Sequence, residues 1–206
     1  MKTTSDSVKI IFYKGDKFLV YPEVYEPAED TFLIADNLEV KSDERVLELG
    51  TGCGLLAILA AKAGAKVVAT DISPIALECA RANAVENLVA NRIDFRSGDL
   101  FDPVDGELFD AVIFNPPYLP VEPQRRSNGP LEMAWDGGRD GREVIDRFLN
   151  ELPLHLGTGG RAIFVQSSLS NPSQTVRLLK TNHFDFKTVR RKMFFEELFL
   201  FLCFRR

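Results

Sequence analysis

The sequence predicts an α/β protein: a doubly wound, mostly parallel sheet whose far edge is an antiparallel hairpin. Two observations carry this expectation. From Ser42 onward, apolar runs of strand length alternate with segments of helix-forming composition. That rhythm places the strands parallel, with helices covering both faces of the sheet. At the end of the chain two strand patterns follow one another with no helix between them, which calls for an antiparallel pair.

The elements follow in order. The first 40 residues read as a short hairpin, VKIIFYKGDKFLVYP, turning at Gly15-Asp16, and then a helix begun by Pro27 in EPAEDTFLIADNL. RVLELG (45–50) is a short apolar strand ending in glycine, and LLAILAAKAG (55–64) is a helix stopped by Gly64. KVVATDI (66–72) is the next strand. SPIALECARANAVENL (73–88) opens a helix with Ser73 as N-cap and Pro74 in the first turn. RIDFRSGDL (92–100) alternates as a strand does, and DAVIFN (110–115) is another. REVIDRFLNEL (142–152) is an amphipathic helix with Val144, Ile145, Phe148, Leu149 and Leu152 on one face. A strand at RAIFVQSS (161–168), a helix at NPSQTVRLLKTN (171–182) and strands near 184–195 and 197–204 complete the chain. These make seven strands in a Rossmann-like sheet. One domain is expected over 1–206, with 1–40 as an N-terminal extension packed on it. FFEELFLFLCF, in the closing hairpin, is expected to be core.

Composition bounds the function. The chain has 206 residues, 45% hydrophobic and 27% charged, with a formal net charge of −5. That is a globular composition with a full core, and its acidic balance argues against a protein built to grip phosphate backbones. Cys53, Cys79 and Cys203 are far apart and form no CxxC pair, so no metal site and no disulfide framework is expected. There is no signal pattern at the N-terminus, and the late apolar segment is too short to span a bilayer. No membrane association and a cytoplasmic location are expected.

The loop after the first parallel strand, ELGTGCG, carries glycines at 50, 52 and 54 and leads into a helix N-terminus. Such a loop turns tightly and lets backbone N–H groups approach a ligand. Asp71 ends the next strand, 21 positions beyond Gly50, where a carboxylate can accept from both hydroxyls of a ribose. A dinucleotide fingerprint is G-x-G-x-x-G. Here the spacing is G-x-G-x-G, and Leu55 stands where the third glycine would fall. That favours a nucleoside carrying an amino acid over a pyrophosphate. The following strand ends in Asp99-Leu100. There a carboxylate can accept from an adenine amino group, and the Leu100 N–H can donate to a ring nitrogen. Gly50, Asp71 and Asp99 together suit S-adenosylmethionine.

FNPPYLP (114–120) ends the fourth strand of this series on a stiff turn poor in donors. A planar amide or amino nitrogen is a poor nucleophile, because its lone pair is delocalised. The side-chain oxygen of Asn115 and the carbonyl of Pro116 can accept its two N–H groups, and Tyr118 can stack on its plane. Alignment of this kind can supply about 7–11 kcal/mol of a barrier. An Asn-Pro dipeptide taken alone would simply be a turn. Its place after an apolar strand, downstream of the cofactor loops, favours chemistry.

ELGTGCG, DIS, GDL and NPPY, in this order, resemble the class I S-adenosylmethionine-dependent methyltransferases. Within them the chain is similar to the HemK-related branch, which methylates the glutamine of the Gly-Gly-Gln motif in translation release factors. VYEPAEDTFL (24–33) and WDGGRDGREVIDRF (135–148) resemble the eukaryotic and archaeal members that act on class-1 release factors. The resemblance spans nearly all of Val24 to Phe204. It implies that Thr31, Glu48, Gly50, Asp71, Asp99, Leu100 and Asn115 contact or align the cofactor, with Gly52 and Gly54 shaping its loop. It also implies that Pro116, Pro117 and Tyr118 complete the glutamine site. A class-1 release factor is the implied protein substrate, and a small zinc-binding activator protein is the implied companion. NPPY is shared with amino-group methyltransferases of adenine and guanine, so a nucleobase is the alternative acceptor. Direct nucleic-acid binding is not expected, given the acidic balance. Residues 1–22 depart from the eukaryotic pattern and take no role. Trp135 either lines the acceptor pocket or simply packs, and Arg139 and Arg142 either steer an acidic partner or are ordinary surface charges. His155 and His183 are structural or surface groups, and Cys53 is a packing residue.

Overall fold

The computed structural model describes residues 7–127 and 129–205. The N-terminal hairpin pairs β1 (Lys9–Tyr13) with β2 (Asp16–Val20). Its turn is centred on Lys14 and Gly15, one residue earlier than expected, and both take positive φ, as the tight turn of a right-twisted hairpin demands. The remaining elements are α1 (Glu29–Asp36), β3 (Arg45–Leu49), α2 (Leu55–Lys62), β4 (Lys66–Asp71), α3 (Pro74–Glu86), β5 (Ile93–Ser97), β6 (Phe109–Phe114), α4 (Pro130–Met133), α5 (Glu143–His155), β7 (Leu156–Ser167), α6 (Pro172–Thr181), β8 (Phe184–Lys192) and β9 (Glu197–Arg205).

Seven strands form one sheet in the order β5-β4-β3-β6-β7-β9-β8. β5, β4, β3, β6 and β7 are mutually parallel, and β9 is antiparallel to both β7 and β8. Strand order reverses between β3 and β6. In an open sheet the crevice at such a reversal, beyond the carboxyl ends of the strands, is where ligands bind. Gly50, Asp71 and Asn115 follow or end β3, β4 and β6, so the topology delivers them to that crevice.

The core beneath the crevice is aromatic. Phe101, Phe148, Phe164 and Phe201 form a chain of rings with successive centroids 6.0, 5.2 and 5.1 Å apart, and Phe114 joins it at 5.0 Å from Phe148. Burying Phe114 fixes the backbone at the point where Asn115 leaves the sheet. The N-terminal hairpin is bound to α3 by polar contacts that its sequence does not advertise. The fully buried amide of Asn83 accepts from the Leu19 N–H and donates to the Leu19 carbonyl, both at 2.7 Å, completing an open strand edge as another strand would.

Several element boundaries differ from expectation for physical reasons. α1 starts at Glu29 because Ala28 is still extended. β5 stops at Ser97, where the Gly98 N–H turns to the Asp71 carbonyl at 3.1 Å and Leu100 takes a φ of +44°. α5 runs through Pro153 to His155. The Leu149 carbonyl, deprived of its helical donor by that proline, accepts from the Asn182 side chain at 2.9 Å instead. β7 begins at Leu156 because Leu156 pairs with Phe109 before the register shifts to Arg161 and Ala111.

The expectation that all of FFEELFLFLCF is core is wrong at its start and at its last residue, Phe204, which is 40% exposed. β8 and β9 must reverse direction, and their last pair is Lys192 with Glu197. The intervening residues form the turn, and Phe194 and Phe195 stand 90% and 86% exposed. Leu198, Leu200, Phe201 and Cys203 are buried as expected.

Candidate active site

The glycine loop follows β3. Gly50, Gly52 and Gly54 have φ of +62°, +55° and +85°. Gly54 is the tightest of them: it caps α2 in the left-handed region, and a Cβ there would lie 3.1 Å from the Ala80 backbone. Glu48 lies under this loop, 2% exposed, and accepts from the Thr51 hydroxyl at 2.5 Å and the Ala57 N–H at 3.1 Å. Burial pushes its carboxyl up to about 8. Its hydrogen bonds brace the loop from below. The carboxylate of Asp71 accepts from the Gly52 N–H and the Ser73 N–H, each at 2.9 Å, so it ties the glycine loop to the start of α3. Burial raises its pKa. A carboxylate offers about four acceptor positions, so two backbone donors leave room for two hydroxyls. Ser73 caps α3 as expected, accepting from the Ala76 N–H at 3.3 Å.

At the end of β5, Asp99 accepts from the Arg147 guanidinium at 2.7 Å, and both side chains are half exposed. An adenine amino group would share this carboxylate with Arg147. The Leu100 side chain is buried, which fixes the direction of its backbone.

The Asn115 amide nitrogen donates to the Asp30 carboxylate and to the Thr31 hydroxyl, both at 3.1 Å. Its oxygen is buried and has no hydrogen-bond partner among the described residues. Asp30 is a hub, 5% exposed: it also accepts from the Tyr118 hydroxyl at 3.0 Å, from the Tyr25 hydroxyl at 3.1 Å and from the Thr31 N–H at 2.7 Å. Burial, with the Asp30 charge next, raises both phenols above their ordinary range. With the nitrogen side of the amide tied to Asp30 and Thr31, the oxygen side is the one left for a ligand. An unmatched buried acceptor costs about 1–3 kcal/mol, so this one is a standing demand for a donor.

A cavity of about 370 Å³ adjoins this network, lined by Tyr25, Asp30, Pro116, Tyr118, Leu119, Ala134 and Trp135. The long segment 119–141 folds back to wall it. The Leu119 N–H donates to the Trp135 carbonyl at 3.0 Å, and the Val121 N–H donates to the Gly138 carbonyl at 2.8 Å. Gly137 and Gly141 lie directly on the proline turn. A Cβ on Gly141 would fall 2.3 Å from the Tyr118 carbonyl oxygen, and one on Gly137 would fall 2.9 Å from that of Pro117. Gly137 and Gly141 of the WDGGRDG stretch are therefore required because the backbone of Pro117 and Tyr118 passes within contact of them, whereas Gly138 takes a φ of +85° against the Glu143 side chain.

The structure brings together Thr31, Asn115, Pro116 and Tyr118, and separately Glu48, the glycine loop and Asp71. Sequence reasoning missed Tyr25 and Asp30 as members of the site, although both lie in the stretch that carried the resemblance. Their signal was a phenol five positions before a carboxylate at a helix start. Only the fold shows that the pair meets Asn115. Trp135 does line the cavity. Arg142 is no steering charge: it is 2% exposed, and its guanidinium donates to the Thr175 hydroxyl at 2.6 Å and pairs with Asp146 at 2.5 Å. His155 stacks on Phe101 at 4.3 Å. Cys53 is buried, and its thiol is pushed up by burial.

Comparison with known proteins gives three kinds of likeness. A family model described as Methyltransferase small domain matches residues 27–126. A protein of Methanocaldococcus jannaschii that carries the name of a protein N5-glutamine methyltransferase is 44% identical over 198 residues, 95% of this chain and 99% of that protein. Methyltransferase HEMK2 of Homo sapiens is 40% identical over 78% of this chain and 79% of its own length. Among solved structures, the Mtq2–Trm112 complex of E. cuniculi, responsible for methylation of the eRF1 translation termination factor, matches with 27% identity and a TM-score of 0.68, over 89% of this chain and 99% of that one. A 16S rRNA N2 G1207 methyltransferase of T. thermophilus, 17% identical with a TM-score of 0.73, shares the fold alone.

Proposed function

The chain belongs to the HemK-related protein N5-glutamine methyltransferases, and from that premise we propose that it methylates the glutamine of the Gly-Gly-Gln motif in a class-1 translation release factor. The observation that carries the proposal is the buried, partnerless oxygen of Asn115, held in place by Asp30 and Thr31. It is one acceptor for one N–H of a planar amide. The Pro116 carbonyl supplies the second, and the aromatic walls of Tyr118 and Trp135 take the amide plane and the side-chain methylenes. That the relatives bear glutamine-methyltransferase names supports an amide acceptor over a nucleobase.

The methyl donor of this family is S-adenosylmethionine, whose sulfonium supplies an electrophilic methyl group. The residues present fit it. Asp71 retains acceptor positions for ribose hydroxyls, the glycine loop offers close backbone approach, and Asp99 with the Leu100 N–H suits the base edge. The Asn115 amide donates to the Thr31 hydroxyl and to Asp30, which lines the acceptor cavity. In this reading Asn115 and Pro116 hold the amide nitrogen by both protons, so its lone pair points along one direction. Pro116 and Pro117 keep the turn stiff, so little order is lost on binding. No base is needed at the outset, because the amide nitrogen sheds its proton readily once alkylated. Tyr118, fixed by Asp30, excludes water from the nitrogen.

We read residues 1–206 as one methyltransferase domain with the N-terminal hairpin packed on it, a reading that the Asn83 and Leu19 contacts support; residues 1–6, 128 and 206 lie outside those described. That the Mtq2 structure is a complex with Trm112 supports a companion subunit for this chain, of the small zinc-binding kind that the resemblance implies. No helix among the described residues is long and apolar enough to cross a membrane. A cytoplasmic site of action suits a translation-factor substrate.

The test is transfer of a radiolabelled methyl from S-adenosylmethionine to a class-1 release factor, with and without a candidate activator. Label should appear in the Gly-Gly-Gln peptide and vanish when its glutamine is replaced by alanine. An undiminished signal after that replacement would overturn the assignment.

A further inference from the structure

The turn between β8 and β9 places two large apolar side chains in solvent at the edge of the sheet from which Asn115 leaves β6. Resting on the protein-substrate reading above, we infer that this turn is a docking prong for the polypeptide that carries the methylated residue. Three observations support it.

The first is exposure. Phe194 and Phe195 are 90% and 86% exposed, more than any other aromatic residue among those described as exposed. Their rings pack edge to face, with centroids 4.6 Å apart at 87°. The pair is a shaped apolar bump, and aromatic residues of this kind dominate the energetics of protein interfaces.

The second is position. β9 runs antiparallel to β7, and Leu198 lies opposite Ser167 at the carboxyl end of that strand. The turn therefore projects from the same edge of the sheet at which Asn115 leaves β6. Two contacts hold it there. The Arg191 guanidinium pairs with the Glu29 carboxylate at 2.8 Å, next in sequence to Asp30, and the Glu197 N–H donates to the Ser168 hydroxyl at 3.1 Å. A Met193 N–H to Glu196 carbonyl bond of 2.8 Å closes the turn.

The third is an orphan acceptor at the root of the prong. One carboxylate oxygen of Glu196 is buried with no partner among the described residues. Its charge adds, least among the causes, to the raising of the Tyr25 and Tyr118 phenols, which line the cavity. A polypeptide brings both of the things this surface lacks: backbone N–H donors for Glu196 and apolar side chains for the phenylalanine pair. The acidic balance of the chain, −5 overall, favours a polypeptide over a nucleic acid.

The experiment compares wild type with the F194A/F195A double variant, whose side chains are exposed and carry no part of the core. Binding of a full-length class-1 release factor is measured by calorimetry, and methyl transfer is measured both to that factor and to a short peptide containing Gly-Gly-Gln. The variant should bind the factor about tenfold or more weakly and show a correspondingly raised KM. Its kcat at saturation, its affinity for S-adenosylmethionine and its activity on the short peptide should be unchanged. E196Q should raise the KM for the factor in the same way. Equal binding of the factor by wild type and double variant overturns the prong, as does failure of wild type to bind the factor. If the factor binds through the phenylalanines but receives no methyl, the prong stands and the glutamine assignment falls.

Discussion

The amide nitrogen of Asn115 donates to the carboxylate of Asp30 at 3.1 Å, across 85 positions of sequence. This contact decides which end of the amide meets the acceptor. With the nitrogen held, no donor among the described residues satisfies the oxygen. Asn115→Ala should therefore lower kcat at least about a hundredfold, on the scale of losing one fixed polar partner in a dry site. Affinity for S-adenosylmethionine, measured by calorimetry, should fall much less. Near-normal turnover in this variant would sink the nitrogen clamp.

Asp30→Ala should act through Asn115. It frees the amide to turn and strands the Tyr25 and Tyr118 hydroxyls and the Thr31 N–H without their acceptor. Turnover should drop about tenfold or more, and stability should drop by about 1–3 kcal/mol, the cost of a buried unsatisfied group. Denaturant melts and steady-state rates measured on the same preparation would separate the two effects. A variant with normal kcat would show that Asn115 is held well enough by Thr31 alone.

Asp71→Ala should weaken the cofactor before it slows the chemistry. It removes the acceptor for the Gly52 and Ser73 N–H groups as well as that proposed for the ribose. The expected result is a raised KM for S-adenosylmethionine with kcat at saturation changed least. A selective fall in kcat would place Asp71 in the chemistry instead.

Gly141→Ala should disrupt the acceptor wall. The residue has a φ of +72°, and a Cβ would fall 2.3 Å from the Tyr118 carbonyl oxygen, which is backbone and cannot swing aside. Loss of stability and loss of activity are both expected. A thermal melt matching wild type would contradict the packing described.

Glu48 predicts a pH dependence. Its folded pKa is raised to about 8 by burial, against an ordinary value of 4.5. Between those values the folded state holds a proton that the unfolded state has released. Its contribution to stability is therefore complete below about 4.5 and is lost as pH rises through 8. Asp71, also raised, adds to the same trend. The acids held low by partners, Asp36, Glu44 and Glu107, act in the opposite sense but titrate below this window. Melting temperature should fall from pH 6 to pH 8, and Glu48→Gln should flatten that slope. An identical slope in the variant would assign the effect elsewhere.

The amino-acid sequence by itself determined the architecture and where in it the residues proposed for the cofactor would stand. Strand–helix alternation, glycines at 50, 52 and 54, and Asp71 at a strand end are local facts, and local chain geometry converts them directly into a parallel sheet with a ligand crevice. The proline turn at 116 and 117 was legible for the same reason, because proline fixes its own backbone wherever it stands. Only the tertiary structure decided the rest. Asp30 and Tyr25 join Asn115 because α1 packs back against the sheet, and Gly137 and Gly141 matter because a distant turn runs over them. Phe194 and Phe195 carry the same apolar signature as the buried strand beside them. Hydrophobicity registers what a side chain would gain from leaving water, but reversal of the chain between β8 and β9 leaves these two no interior to enter.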